Sequence, residues 1–174
     1  MNIPNLLSLF RLILVPCFAI VFLSDPNAVL LAGGIFLVAT LTDLADGYLA
    51  RKWNQTTKLG RILDPLADKL LQVTAVACLS VQKIIPSLFF AIFAAKELFM
   101  LLGGVFLVKK TDDVMPSNMF GKFVSFFIST LIVVTIFFGG KLPAQATNFL
   151  YTVAVTLALA AMVVYVTKYF MNRS

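Results

Sequence analysis

The chain has 174 residues, 60% of them hydrophobic, and a mean hydropathy of +0.97, whereas an ordinary soluble domain is about 45–50% apolar. A water-soluble globule is therefore excluded as the natural reading. The net charge of +6 in so apolar a chain faces anionic headgroups and phosphorylated ligands rather than nucleic acid.

A bilayer core takes about 20 residues per helix, so this length holds six crossings and no second, soluble domain. Hydropathy marks candidate spans at residues 6–24, 28–50, 61–82, 86–108, 122–140 and 147–168. The expected fold is an all-α integral membrane protein of six transmembrane helices, with residues 1–174 as one domain.

The first span carries Arg11 but no cationic leader and no A-x-A site, so it reads as a retained helix rather than a cleaved signal. Asn5, Ser8 and Arg11 recur every three residues and form one polar stripe on an apolar helix. Interfacial anchoring and a ligand-facing role both account for that stripe. Cys17 and Cys78 have neither metal spacing nor the density of a disulfide scaffold and read as packing residues.

Spans two and three carry Asp43 and Asp46, then Asp64, Asp68 and Lys69; span four carries Lys96 and Glu97. Charge at membrane depth is costly and usually functional. Residues 123–140 and 142–167, by contrast, contain no charge at all.

The connections set the orientation. Arg51, Lys52, Lys58 and Arg61 lie in one connection, Lys109, Lys110 and Lys122 in another, and Lys168 and Arg173 in the tail. The opposite side has only Lys83 and Lys141, and Pro26, Pro86 and Pro143 fall at its turns. Both termini, and the acids at the adjoining ends of spans two and three, are expected to face the cytoplasm.

Spacings of three and four residues put Asp43 beside Asp46 and Asp64 beside Asp68 on single helix faces. If the two helices pack face to face, four carboxylates converge, and they cannot all stay ionised without protons, basic side chains or metal. Oxygen donors without His or thiolate favour a hard dication, Mg²⁺ or Mn²⁺. Gly47, Ala50 and Gly60 leave the carboxylate face bare enough for a ligand to approach the backbone, and Arg51 and Arg61 offer forked donors for phosphate. From the residues alone other readings stand: small residues as helix-packing positions, the acids as a cation or proton pathway or as ion pairs with Lys69 and Arg61, or a non-catalytic membrane protein.

Read without a gap from Asp43 to Asp68, D-x-x-D-G-x-x-A-R-x8-G-x3-D-x3-D resembles the signature of the CDP-alcohol phosphotransferases, integral-membrane enzymes of phospholipid synthesis. Length, helix number and the place of the motif on helices two and three extend the resemblance over essentially the whole chain. It implies a metal-dependent transfer of a phosphatidyl or similar group from a CDP-linked donor to an alcohol, with release of CMP. On this resemblance Asp43, Asp46, Asp64 and Asp68 hold a two-metal centre of Mg²⁺ or Mn²⁺, and Asp68 is the general base. The CDP donor falls to Asn5, Ser8, Asp43, Asp46, Gly47, Ala50, Arg51 and Gly60. A homodimer in the cell's inner membrane, among membrane lipids and without nucleic acid, is likewise implied.

The opening Asn2-Ile3-Pro4-Asn5-Leu6-Leu7-Ser8-Leu9-Phe10-Arg11 is similar to the N-I-P-N-x-L-T-x-x-R start of bacterial phosphatidylglycerophosphate synthases, as is the stretch Trp53 to Thr57. That resemblance implies CDP-diacylglycerol as donor and glycerol 3-phosphate as acceptor. The acceptor is a dianion and calls for cations, with Lys122, Lys96 and Arg11 as candidates. Where the subgroup often continues Lys-x-Lys-Thr, this chain has Lys122, Phe123, Val124 and Ser125. The missing second cation keeps a cardiolipin synthase using phosphatidylglycerol as the alternative.

Overall fold

Long apolar runs separated by Pro, Gly and charge fold here into six helices: α1 (Ile3–Ser24), α2 (Val29–Lys52), α3 (Gly60–Val81), α4 (Ser87–Thr111), α5 (Met119–Phe138) and α6 (Ala144–Met171). The computed structural model describes the backbone of residues 3–25, 27–52, 60–111 and 119–171. Within these, the side chains of 3–5, 43–52, 60–62, 64–65, 104–111 and 168–171 fall outside the description. No strand occurs among the described residues.

The described turns have local causes. After α1, the Asp25 carboxylate accepts the Asn27 N–H at 2.8 Å, and Ala28 N–H reaches the Asp25 carbonyl at 3.0 Å. Pro26, expected at this turn, lies outside the described residues. Helix α3 ends in a Schellman pair, with Ile84 N–H donating to Leu79 O and Lys83 N–H to Ser80 O, both at 3.0 Å. Lys83 takes the left-handed conformation, φ 58°, where glycine is usual. Pro86 and Pro143 stand directly before α4 and α6, as expected of a residue that cannot continue a helix but can open one.

Following contacts around the bundle gives the ring α1, α2, α5, α6, α4, α3 and back to α1. Helix α3 is the hub, touching α1, α2, α4 and α5. Phe18 stacks on Phe22 at 5.5 Å between centroids and meets Phe36 of α2 at 5.8 Å. Small residues let backbones approach, with Ala39, Ala67, Ala75, Ala154 and Ala158 buried. Bare Gly33 admits the ring of Phe137, joining α2 to α5. At the end of α5, Gly139 leaves room for Ile84 of the α3–α4 turn.

Polarity runs opposite to that of a soluble protein. Leu30, Phe149, Phe126 and Leu88 are among many large apolar side chains on the outside, whereas Ser8, Arg11, Gln72, Glu97, Thr135 and Thr147 are buried. An apolar exterior of this extent fits hydrocarbon rather than water. Leu6–Ser24, Met119–Phe138 and Ala144–Thr167 are each long and apolar enough to cross a membrane, and Val29–Thr42 is a shorter apolar stretch. The described parts of α3 and α4 carry Asp68 with Lys69 and Lys96 with Glu97, which lower their hydropathy. Cys78 is buried in the core as expected; Cys17 instead lies on the outer face.

Candidate active site

The acids sit where α2 ends and α3 begins. At about 1.5 Å per residue, Asp46 lies roughly 9 Å and Asp43 roughly 14 Å before the end of α2, while Asp64 lies about 6 Å and Asp68 about 12 Å into α3. The two helices touch one another, and both pack on α1. The side chains of Asn5, Asp43, Asp46, Gly47, Ala50, Arg51, Gly60 and Asp64 lie outside the described residues, so the structure fixes their helical positions and nothing more. Residues 53–59, including the Trp53 to Thr57 stretch, are outside it as well.

What is described forms a polar seam through the hub. Ser8 and Arg11 of α1 are both 0% exposed. Their stripe therefore points into the protein, against an interfacial anchoring role. Arg11 is eight residues into α1, as Asp68 is eight residues into α3, and its charge acts on Asp68. Lys69 Nζ lies 3.8 Å from Asp68 Oδ2 and 3.5 Å from Glu97 Oε2. Glu97, 1% exposed, receives Lys96 Nζ on its other oxygen at 2.6 Å. One buried carboxylate of α4 thus bridges two ammonium groups, and Lys96 also stands 5.8 Å from the centroid of the Phe93 ring.

Two features of this seam escaped the sequence reading. Gln72 Nε2 lies 3.4 Å from Asp68 Oδ1, 3.2 Å from Ser125 Oγ and 2.9 Å from Ser129 Oγ. Gln72 is one turn beyond Asp68, and the serines are one turn apart on α5, so the spacing was the available signal. These bonds also set the register of α5 on α3 at 53 to 57 residues, which brings Lys122 to the level of residues 65–69. Lys122 is exposed there, while Val124, at the position of the absent second cation, is buried.

The donor chemistry fits a hard divalent cation. The four acids supply only oxygen, the chain has no His, and Cys78 is ten residues deeper along α3 than Asp68. Among the described residues no three His, Cys, Asp or Glu side chains form a metal-holding group; three of the four acids lie outside that set.

An apolar helical bundle with a buried seam of charged side chains along α3 defines a membrane protein with a polar interior. The chain belongs to the CDP-alcohol phosphatidyltransferase family, which it matches over residues 1–167, and the family generally uses divalent metal ions. Among its relatives is the CDP-diacylglycerol–glycerol-3-phosphate 3-phosphatidyltransferase of Aquifex aeolicus, 37% identical over 166 residues, 94% of this chain and 89% of the relative. Proteins of the same name from Escherichia coli K12 and Wigglesworthia glossinidia brevipalpis are 53% and 57% identical over 75 and 74 residues, in each case 42% of this chain and 41% of theirs.

Proposed function

We propose that this chain transfers the phosphatidyl group of CDP-diacylglycerol to glycerol 3-phosphate, giving phosphatidylglycerophosphate and CMP. The observation that carries the reading is the uninterrupted Asp43 to Asp68 motif on two touching helices, in a chain similar from end to end to an enzyme named for this reaction. In this reading the acceptor hydroxyl attacks the phosphatidyl phosphorus, the bond to CMP breaks, and Asp68 takes the hydroxyl proton. Asp43, Asp46, Asp64 and Asp68 would hold two divalent cations, Mg²⁺ or Mn²⁺, which supply charge neutralisation at the pyrophosphate and the leaving group.

Gly47 and Ala50 leave space for the cytidine diphosphate, Arg51 binds its phosphates with Gly60 on the facing wall, and Asn5, Ser8, Asp43 and Asp46 also serve the donor. Arg11, Lys96 and Lys122 draw in the acceptor phosphate. The exposed Lys122 is the most accessible of the three, since Lys96 is already engaged by Glu97. A cardiolipin synthase is the second reading, favoured by the apolar Val124 where a second cation would stand.

The setting we propose is a homodimer in the inner membrane, each chain forming one domain. All six helices cross, both termini are cytoplasmic, and the site opens to the cytoplasm. The Lys and Arg asymmetry of the connections supports it. Purified protein given CDP-diacylglycerol and a panel of glycerol 3-phosphate, serine, inositol, inositol phosphate and phosphatidylglycerol should release CMP with glycerol 3-phosphate. Preference for phosphatidylglycerol would overturn the acceptor, and labelling of residues 51–61 only from outside the cell would overturn the orientation.

A further inference from the structure

Gln72 is an anomaly in its layer. It is 1% exposed, and its neighbours along α3, Leu71, Ala75 and Val76, are buried and apolar. Its amide nitrogen has two protons for three acceptors within reach on two helices, Ser129 Oγ at 2.9 Å, Ser125 Oγ at 3.2 Å and Asp68 Oδ1 at 3.4 Å, whereas its carbonyl oxygen is buried with no hydrogen-bond partner among the described residues. A buried, unpaired carbonyl is unfavourable, and the contacts of the nitrogen are what offset it. The gain has to lie in what the nitrogen holds.

It holds Asp68 Oδ1. The other oxygen, Oδ2, lies 3.8 Å from Lys69 Nζ, so each oxygen of the carboxylate has a donor beside it. The two donors differ in kind. Lys69 is shared with Glu97 and carries charge that competes with any cation for the carboxylate. The amide is neutral, so it fixes the plane of the carboxylate without neutralising it. Ser125 and Ser129, both on α5, hold the amide in turn, so the orientation of an α3 carboxylate is tied to a different helix. Partners of this outer kind commonly change activity by about 10–100-fold when removed.

From this geometry we infer that Gln72 is a positioning residue for catalysis: its amide, anchored by Ser125 and Ser129, orients Asp68 for the reaction. The inference rests on the reading of Asp68 as a participant in turnover. Gln72 touches no substrate and acts through Asp68, so its loss lowers kcat and leaves the KM for CDP-diacylglycerol unchanged. A side chain that merely packed α3 on α5 would change the folded fraction and not the turnover of each folded molecule.

The test uses the full-length enzyme in detergent micelles, with CMP release measured against the folded fraction. Gln72→Met, close in length and apolar, should lower kcat about tenfold with the donor KM within about twofold. Ser129→Ala alone should lower kcat by a smaller factor, and adding it to Gln72→Met should lower it no further, since the serine acts only through the amide. Wild-type kcat per folded molecule in Gln72→Met, or fully multiplicative losses in the double variant, would overturn the inference. Should Gln72→Met fail to fold, Ser125→Ala with Ser129→Ala carries the same test: a several-fold loss of kcat supports it and wild-type kcat refutes it. Asp68→Asn, assayed in parallel, separates the two readings. Full activity there removes the role of Asp68 and this inference together, whereas an inactive Asp68→Asn beside a wild-type Gln72→Met refutes only the positioning.

Discussion

Replacing Glu97 by leucine should strongly destabilise the bundle. The carboxylate is 2% exposed, with Lys96 Nζ at 2.6 Å and Lys69 Nζ at 3.5 Å; those side chains are 10% and 22% exposed. Among the described residues, the substitution leaves Lys96 with no acid and Lys69 with Asp68 alone, at 3.8 Å. Removing one partner of a buried pair costs about 3–5 kcal/mol, because the other charge stays desolvated. Glu97→Gln keeps an acceptor while losing the charge, and should cost about 1.5–3 kcal/mol. The double variant Lys96→Leu/Glu97→Leu removes the 2.6 Å pair whole and should recover all but about 1 kcal/mol, since apolar side chains replace buried ion pairs at little loss. Cys78, buried in α3, provides the assay. In a Cys17→Ser background its modification by a thiol dye reports unfolding as temperature or denaturant rises. A Glu97→Leu protein within about 1 kcal/mol of wild type, or a double variant no more stable than Glu97→Leu, would refute the bridging role.

Asp43→Asn, Asp46→Asn and Asp64→Asn should each abolish CMP release while circular dichroism stays helical, and a chelator should do the same reversibly, with Mg²⁺ or Mn²⁺ restoring activity. Gly47→Leu should block CDP-diacylglycerol binding without lowering thermal stability; the reverse outcome would make Gly47 a helix-packing residue. Gly33→Leu meets the Phe137 ring and should cost about 1–3 kcal/mol through overpacking, which the same Cys78 assay measures. Lys122→Met removes one charge-assisted contact to the acceptor phosphate, worth about 1.5–3 kcal/mol. The KM for glycerol 3-phosphate should therefore rise roughly ten- to a hundredfold with the donor KM unchanged, and an unchanged acceptor KM would remove Lys122 from the pocket.

The helices were legible because hydropathy over about 20 residues is a strong signal in an apolar chain. Where spans are expected at 28–50 and 61–82, the helices run Val29–Lys52 and Gly60–Val81. Their packing order was not legible. An apolar helix facing lipid on one side and protein on the other has no polar face to show which side is which. The approach of Phe137 to Gly33 and of Ile84 to Gly139 therefore left no trace in the pattern. The Lys83 cap was hidden for a similar local reason, since a lysine in the left-handed region looks in sequence like any loop cation.

At the site, charge was the legible part. In hydrocarbon an ionisable side chain has nowhere favourable to go except the protein interior, so Arg11, Asp68, Lys96 and Glu97 marked the seam before any fold was known. Spacing could not reveal that Glu97 would take both Lys69 and Lys96, because the i, i+1 pair was visible and the partner on α3 was not. Helix α5 was hidden more completely. Its contributions are the hydroxyls of Ser125 and Ser129, too mildly polar to interrupt a hydropathy window, and each able to satisfy itself on the preceding turn of its own helix. Such residues show a purpose only when a neighbouring helix brings them a partner with protons to share. Here that partner is the amide of Gln72, so the hydroxyls of the fifth helix reach Asp68 through a side chain that belongs to the third.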